Sequence, residues 1–255
     1  MLIDTEKVSS YPEAMRKAVC QYIRANLHAV EKEIQTKTIE KDFDVRCAIE
    51  NYLRECKAEL LYRELSKIMS DCTIVCYHAT KVLCRAQIME NGLRVNECEE
   101  YSKAMREVLM ALGASNIEES MGYIRKEYER KYVKPQLCFF SGVQLINGLE
   151  FPGYDQFCEN IGGELARWAL REKQPETYKM LRNNGIPFIV KFGLRFRDIA
   201  NYQQDSILYQ FVSYYAAQYF WNWNYSIKFD GITYKNVAPQ QILEMIDYGK
   251  KVNCE

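Results

Sequence analysis

Apolar residues recur every three or four positions through the first part of the chain, which predicts amphipathic helices. The first repeat starts at Tyr11, where Pro12 suits the first turn of a helix, and it is interrupted near residues 35–38. A second repeat runs from Asp42 to Met69, with charged residues on its other face. We therefore interpret residues 1–71 as a helical N-terminal region.

The pattern changes to that of a strand after residue 72. Residues 74–77 are a short apolar run of β-branched and aromatic side chains, too short for a helical repeat, which favours a buried strand ending at His78. Beyond Thr80 the helical spacing returns and continues to Gly92, a residue suited to the left-handed conformation that closes a helix. A histidine and a hydroxyl are thus predicted at the rim of a sheet.

The middle of the chain predicts helices, followed by two strands. Helical spacing extends from Glu97 to Tyr132 with a break at Gly113, so we interpret residues 97–134 as a helical insertion. Residues 136–141 read as a buried strand, and residues 185–194 alternate like a second one.

The last part of the chain predicts a helix, a hairpin and a closing element. Residues 207–223 carry a helical stripe of aromatic and aliphatic side chains, which is typical of a core helix. Residues 225–234 predict a hairpin, because Asp230-Gly231 suits a type I′ turn. Residues 237–246 predict a strand edge that runs into a short helix.

Composition and charge narrow the class of protein. Of 255 residues, 48% are hydrophobic, which is ample for a core. Thirty-four basic and thirty-four acidic residues cancel, so no overall field recruits nucleic acid or an anionic membrane. The sequence lacks a signal peptide pattern and an apolar run of about 20 residues. We expect a cytoplasmic protein that makes no membrane contact.

Ten cysteines are scattered along the chain, without a C-x-x-C pair or a histidine at zinc-ligand spacing. Several fall on predicted apolar faces, so we expect reduced core residues, no disulfide framework and no metal site. Phosphate-loop, Rossmann, Ser/His/Asp and HExxH motifs are not visible. The basic run 125–134, with interleaved tyrosines, suits phosphate contact, but Glu127 and Glu129 favour a solvated helix face.

The segment Thr73 to Leu93 resembles the first motif of the ADP-ribosyltransferase-like superfamily, in which a strand ending in His-x-Thr precedes a helix and a Gly-Leu turn. The resemblance implies that His78 and Thr80 bind the nicotinamide ribose of NAD. An imidazole nitrogen and a hydroxyl can each pair with one hydroxyl of a ribose diol. The alternative is a histidine that is satisfied by hydrogen bonds near a strand end.

The resemblance continues in the strand that contains Phe140 and Ser141, since superfamily members often end a second strand in Phe-Phe-Thr or Phe-Phe-Ser. It implies that both residues contribute to the nicotinamide pocket, and that Tyr154, at the entry of the next helix, stacks on the nicotinamide ring. Glu164 follows Gly162-Gly163 and is a candidate catalytic residue. In its structural interpretation, Glu164 is simply an acidic residue in the first turn of a helix.

One family feature is missing. Superfamily members commonly carry a glutamate on a late strand, where it holds the ribose 2′-hydroxyl and supports the developing oxocarbenium ion. The predicted late strands contain no glutamate, which leaves Asn224, Asp230 or Glu164 as alternatives.

Together these features predict an α+β fold: an ADP-ribosyltransferase-like mixed sheet core in residues 72–255, with the helical N-terminal region and the helical insertion, in one compact unit. The predicted cleft lies between the His78 strand and the Phe140 strand. The expected function is that of an enzyme, an NAD-dependent ADP-ribosyltransferase with NAD as substrate and a protein or nucleic acid as target. An enzyme of this kind would act as a bacterial toxin, an effector or a phage-defence component. The alternatives are a catalytically inactive NAD or nucleotide sensor and a helical protein-interaction module.

Overall fold

The computed structural model describes residues 1–41, 45–56, 58–142, 145–146, 156–223 and 227–248. These residues form eleven α-helices and a six-stranded sheet, which confirms the predicted α+β class. The helices are α1 (Glu13–Ala25), α2 (Leu27–Lys41), α3 (Val45–Glu55), α4 (Glu59–Ser70), α5 (Ala86–Asn91), α6 (Cys98–Ala111), α7 (Ile117–Lys131), α8 (Gln156–Glu159), α9 (Gly163–Leu170), α10 (Pro175–Asn183) and α11 (Asn201–Trp221). The strands are β1 (Leu2–Ile3), β2 (Thr73–Val82), β3 (Leu137–Phe140), β4 (Ile186–Arg195), β5 (Asp230–Thr233) and β6 (Ile242–Asp247). Single turns of 3₁₀-helix occupy Val8–Ser10, Phe196–Asp198 and Pro239–Gln241.

The strands follow the order β5-β3-β2-β4-β6, and β1 runs parallel to the start of β2. Strand β2 pairs antiparallel with β3, where Tyr77 lies opposite Phe140. Strand β4 pairs antiparallel with β6, and its register shifts between Lys191 and Phe192. The segment that carries His78 is therefore an inner strand, with a neighbour on each side.

The chain divides into two compact units. The first contains residues 1–75 and 194–231, and the second contains residues 76–193 and 232–255. The sequence-based division placed a boundary after residue 71 and assigned residues 194–231 to the later region. In the structure those residues belong with the N-terminal helices.

In the first unit, α11 is the central helix. It packs against α1, α3 and α4, and its middle section is buried on all sides. Aromatic rings make several of these contacts: Tyr11 lies 5.5 Å from Phe211, and Tyr62 lies 3.9 Å from Tyr209, between ring centroids. A helix that is apolar around its whole circumference is expected at such a buried position.

The N-terminal helices are shorter and more numerous than predicted. The expected interruption near residues 35–38 is wrong, because α2 continues through them, and the break falls at Asn26 instead. The side-chain amide of Asn26 donates to the carbonyl of Tyr22 at 2.8 Å, a local bond that competes with helix continuation. The single helix predicted over 42–69 is also wrong: α3 and α4 are separate helices that both pack on α11, and α3 also packs on α2 whereas α4 packs on α1.

Three predictions about the strands are also wrong. Strand β2 continues to Val82, so His78 and Thr80 lie within it, and the next helix starts only at Ala86. Asp230-Gly231 opens β5 and is not a hairpin turn. Residues 242–247 form β6, where a helix was expected. In each case pairing with a neighbouring strand overrides the local pattern.

The second unit carries a layer of helices on its own hydrophobic core. The predicted insertion contains α6 and α7, and Gly113 breaks the helical run between them with a φ of 72°. Helix α7 packs mainly against α9 and α6. The shared core includes Met105, Leu109, Ile124 and Leu165.

Two findings concern the cysteines and the membrane. No disulfide joins the nine cysteines in the described ranges. In the part of the chain that the structure describes, no helix has both the length and the apolar character needed to cross a bilayer.

Gly92 ends α5 at a point where no side chain fits. Its φ is 71°, and a Cβ atom there would lie 1.9 Å from the carbonyl oxygen of Val237. The neighbouring residue Leu93 donates its N–H to the same oxygen at 2.9 Å and accepts from the N–H of Val237 at 2.8 Å. The predicted helix stop at Gly92 thus coincides with a close contact between two segments that are distant in sequence.

We expect Gly92→Ala to lower the free energy of unfolding by about 2 kcal/mol or more, because the substitution forces a positive φ and displaces Val237. The matched control is Gly122→Ala on the exposed face of α7, where a Cβ meets no atom within 4 Å. That change should be neutral, or stabilising by about 0.5–1 kcal/mol. Urea unfolding measures both variants, and equal midpoints for Gly92→Ala and wild type would contradict the contact.

Candidate functional site

His78 lies in the middle of the sheet and is held by the neighbouring strand. Its Nδ1 lies 2.8 Å from the carbonyl oxygen of Cys138 on β3. Because a carbonyl oxygen only accepts, Nδ1 carries the proton and donates it. In the neutral imidazole, Nε2 is then a hydrogen-bond acceptor.

The surroundings of His78 keep its imidazole neutral. Burial lowers the pKa of His78 from its ordinary value, and the hydrogen bond to the Cys138 carbonyl only partly opposes this shift. At neutral pH the side chain is thus an uncharged ring with a fixed tautomer. Such a ring can accept a hydrogen bond from a hydroxyl group through Nε2.

Thr80 shares a face of β2 with His78, since side chains two residues apart in a strand point the same way. Its backbone carbonyl accepts a weak hydrogen bond from the thiol of Cys158, at 3.9 Å, and that thiol also reaches the carbonyl of Phe188 at 3.8 Å. The Cys158 thiol therefore contacts β2 and β4 from α8. The structure thus brings His78 and Thr80 together on one face.

Phe140 lies on the other face of the sheet. Paired residues in an antiparallel ladder project to the same side, so Phe140 shares the face of Tyr77. His78, one residue further along, projects to the opposite face, together with Phe139. Phe140 packs on Phe157, with 5.1 Å between ring centroids. The aromatic residue on the histidine's face is therefore Phe139, which the motif comparison did not select.

Among the described residues, the strand pairing leaves no cleft at the position predicted from the sequence. A cleft was predicted between the His78 and Phe140 strands, but these strands are directly paired at Tyr77 and Phe140. A ligand of His78 would lie over a face of the sheet. Ser141 follows β3 directly, is fully buried, and accepts from the N–H of Leu145 at 3.1 Å through its carbonyl.

The remaining predicted site residues are not gathered around His78 by the described structure. Tyr154 and Asn224 lie outside the described residues. Asp230 is exposed at the start of β5. Glu164 lies in the first turn of α9, and burial raises its pKa, while Arg167 and Lys131 act in the opposite direction.

One glutamate does lie on a late strand of the structure, although the sequence pattern did not predict it. Glu244 lies in β6, opposite Lys191 of β4, and it was overlooked because a helix was predicted there. The ammonium of Lys191 lies 5.7 Å from the ring centroid of Tyr77, which places Lys191 and Glu244 on the Tyr77 face of the sheet. Alternating polarity over residues 242–247 is weak, so the pattern alone gives no strand signal there.

Lys81 fixes two helices at the end of β2. Its ammonium donates to the carbonyl of Glu159 at 3.3 Å and to the carbonyl of Arg182. These carbonyls belong to the last turns of α8 and α10, where a cation is favourable. Burial lowers the pKa of Lys81, and Arg182 adds to the shift.

Comparisons of the chain with protein-family models, with curated proteins and with solved structures gave no match. In the described residues, no group of three or more histidine, cysteine or acidic side chains has the geometry of a metal site.

The lowered pKa of His78 predicts a pH-dependent stability. The unfolded chain takes up a proton near pH 6.5 and the folded chain does so only at lower pH, so stability falls as the pH drops below 6.5. We expect His78→Gln, which cannot protonate, to lose this part of the pH dependence.

Urea unfolding of each variant between about pH 7.5 and 5 measures the effect. His28→Gln, on the exposed surface of α2, is the control and should keep the dependence, because His78 is still present. If His78→Gln and wild type lose stability equally, the burial of a neutral His78 is refuted.

Proposed function

We propose that this protein is an NAD-dependent ADP-ribosyltransferase that uses the His78 face of the sheet to hold the nicotinamide ribose. The observation that carries the proposal is the hydrogen bond from Nδ1 of His78 to the Cys138 carbonyl. It fixes an uncharged imidazole with an accepting Nε2, next to the hydroxyl of Thr80 on the same face. That pair matches the two hydroxyls of a ribose diol.

Loss of nicotinamide from NAD develops positive charge on the ribose, and orientation of the glycosidic bond determines how readily the bond breaks. In the proposal, His78 and Thr80 orient the ribose and Phe139 lines the same face. Glu164, in the first turn of α9, interacts with Arg167 and Lys131 and is not among the residues around His78, so we assign no described carboxylate to stabilising this charge. Transfer then joins the ribose C1′ to a nucleophile of the target, and nicotinamide leaves.

A second function is favoured by the placement of Phe140 and Glu164. The register puts Phe140 on the face opposite His78, and Glu164 interacts with Lys131 and Arg167. A protein that binds NAD without breaking its glycosidic bond, acting as a sensor, fits this arrangement. Calorimetric NAD binding without nicotinamide release from etheno-NAD would select the sensor, and release would select the transferase.

His78→Ala should reduce nicotinamide release by roughly 10- to 1000-fold, the range for one or two positioning hydrogen bonds. His28→Ala is the matched control, because His28 is the other histidine of the chain, and it should release nicotinamide like wild type. Fluorescence of etheno-NAD measures the rate, and thermal unfolding of the same preparations measures folding. A lowered melting temperature with unchanged activity per folded molecule would show that His78 is structural.

Thr80→Val should weaken NAD binding by about 2- to 10-fold, the loss of one hydrogen bond, because valine keeps the shape and the strand preference of threonine. Thr73→Val is the matched control, since Thr73 lies in the same strand but on the other face. Calorimetric titration with NAD gives both affinities. Equal affinities for the two variants would exclude the Thr80 hydroxyl from the site.

A further inference from the structure

A second candidate site lies where the chain leaves α7, in the second unit. It is an open pocket of about 320 Å³, within the size range of small-ligand sites. None of its lining side chains is acidic, and two are lysines. The lining residues are Lys131, Tyr132, Val133, Lys134, Gln136 and Tyr234.

Each lysine of the pocket lies over an aromatic ring. The ammonium of Lys131 is 4.2 Å from the ring centroid of Trp168, and that of Lys134 is 5.7 Å from the ring centroid of Tyr234. The two aromatic residues are 37% and 40% exposed. Cation–π contacts at exposed sites are weak, so a ligand can displace the ammonium groups and stack on these rings. The displaced ammonium groups can then pair with negative charges of the same ligand.

The charges around the pocket leave these two lysines available. Arg130, their neighbour on α7, is paired with Glu127, at 3.0 Å between Nε and Oε2. Glu164 on α9 interacts with Lys131, so it offsets part of that charge. Within the described ranges, neither pocket lysine forms an ion pair with a carboxylate at salt-bridge distance. Lys131 and Lys134 are both exposed, in keeping with the solvated face that the sequence favoured for this run.

This combination matches a single-stranded nucleic acid. Lysine ammonium groups bind phosphate oxygens, and exposed aromatic faces stack on unpaired bases of any sequence. Bases in a duplex are already stacked on one another and do not reach such rings. An acidic polypeptide could pair with the lysines, but its carboxylates would not stack on the exposed ring faces.

We propose that this pocket binds a single-stranded nucleic acid, with phosphates at Lys131 and Lys134 and a base stacked on Tyr234. That this nucleic acid is also the acceptor of ADP-ribose is an inference that rests on the proposed transferase function. The binding itself does not, so it is measured in the absence of NAD.

The test is fluorescence anisotropy with a labelled oligothymidylate of about 12 nucleotides, titrated at several salt concentrations from about 50 mM upward. Lys131→Ala/Lys134→Ala should weaken binding at least about 10-fold and lower the slope of log affinity against log salt by about 1.4. Tyr234→Leu should weaken binding by about 5- to 100-fold, as expected for one lost stack, and leave the salt slope unchanged.

The matched control is Lys103→Ala/Lys179→Ala, which removes the same charge from exposed positions on α6 and α10 and should bind like wild type. Thermal unfolding shows whether each variant is folded. The variant Lys131→Arg/Lys134→Arg keeps the charge and should retain binding. The proposal is overturned if wild type does not bind, if the control weakens binding equally, or if Tyr234→Leu binds like wild type. Equal binding of a duplex or of polyglutamate also overturns it.

Nicotinamide release, measured without oligonucleotide, separates this inference from the proposed function. Release without oligonucleotide binding would retain the transferase and reject the pocket. Oligonucleotide binding without release would retain the pocket and reject transferase chemistry.

Discussion

The antiparallel pairing of Tyr77 with Phe140 is the constraint on which the arrangement of the candidate site depends. Because side chains alternate along a strand, this one register assigns each residue of β2 and β3 to a face of the sheet. It puts His78, Thr80 and Phe139 on one face, and Tyr77 and Phe140 on the other. A slip by one residue would exchange the two sets, so the register itself determines which groups can share a ligand.

The surroundings of β2 hold this register in place through polar bonds to backbone carbonyls. His78 donates to the Cys138 carbonyl on one side, and Lys81 donates to the carbonyls that end α8 and α10. Such carbonyls lack a partner within their own helix, so a donor from the sheet satisfies them. His78 thus belongs to the candidate site and also connects β2 to β3, which is why activity and stability must be measured together in a His78 variant.

The two candidate sites of the second unit differ in their chemistry. The His78 face offers an uncharged imidazole and a hydroxyl, which suit a sugar diol. The pocket after α7 offers ammonium groups and exposed rings, which suit phosphates and bases. Glu164 interacts with Lys131 of that pocket. The pKa of Tyr132 is raised to about 12, mainly by burial, and charge interactions with Cys138 and Glu164 act in the same direction. The electrostatic surroundings of β3 and of the pocket are therefore linked.

The sequence by itself determined the α+β class, the strands at 137–140 and 186–195, the helices on either side of Gly113 and the helix stop at Gly92. Each of these depends on local periodicity or on the backbone freedom of glycine. Only the tertiary structure decided the extension of β2 past His78, the strand at 242–247 and the opposite faces of His78 and Phe140. These depend on hydrogen bonds to strands distant in sequence, which no local pattern contains. The Asp230-Gly231 pair, read locally as a turn, became part of β5 for the same physical reason.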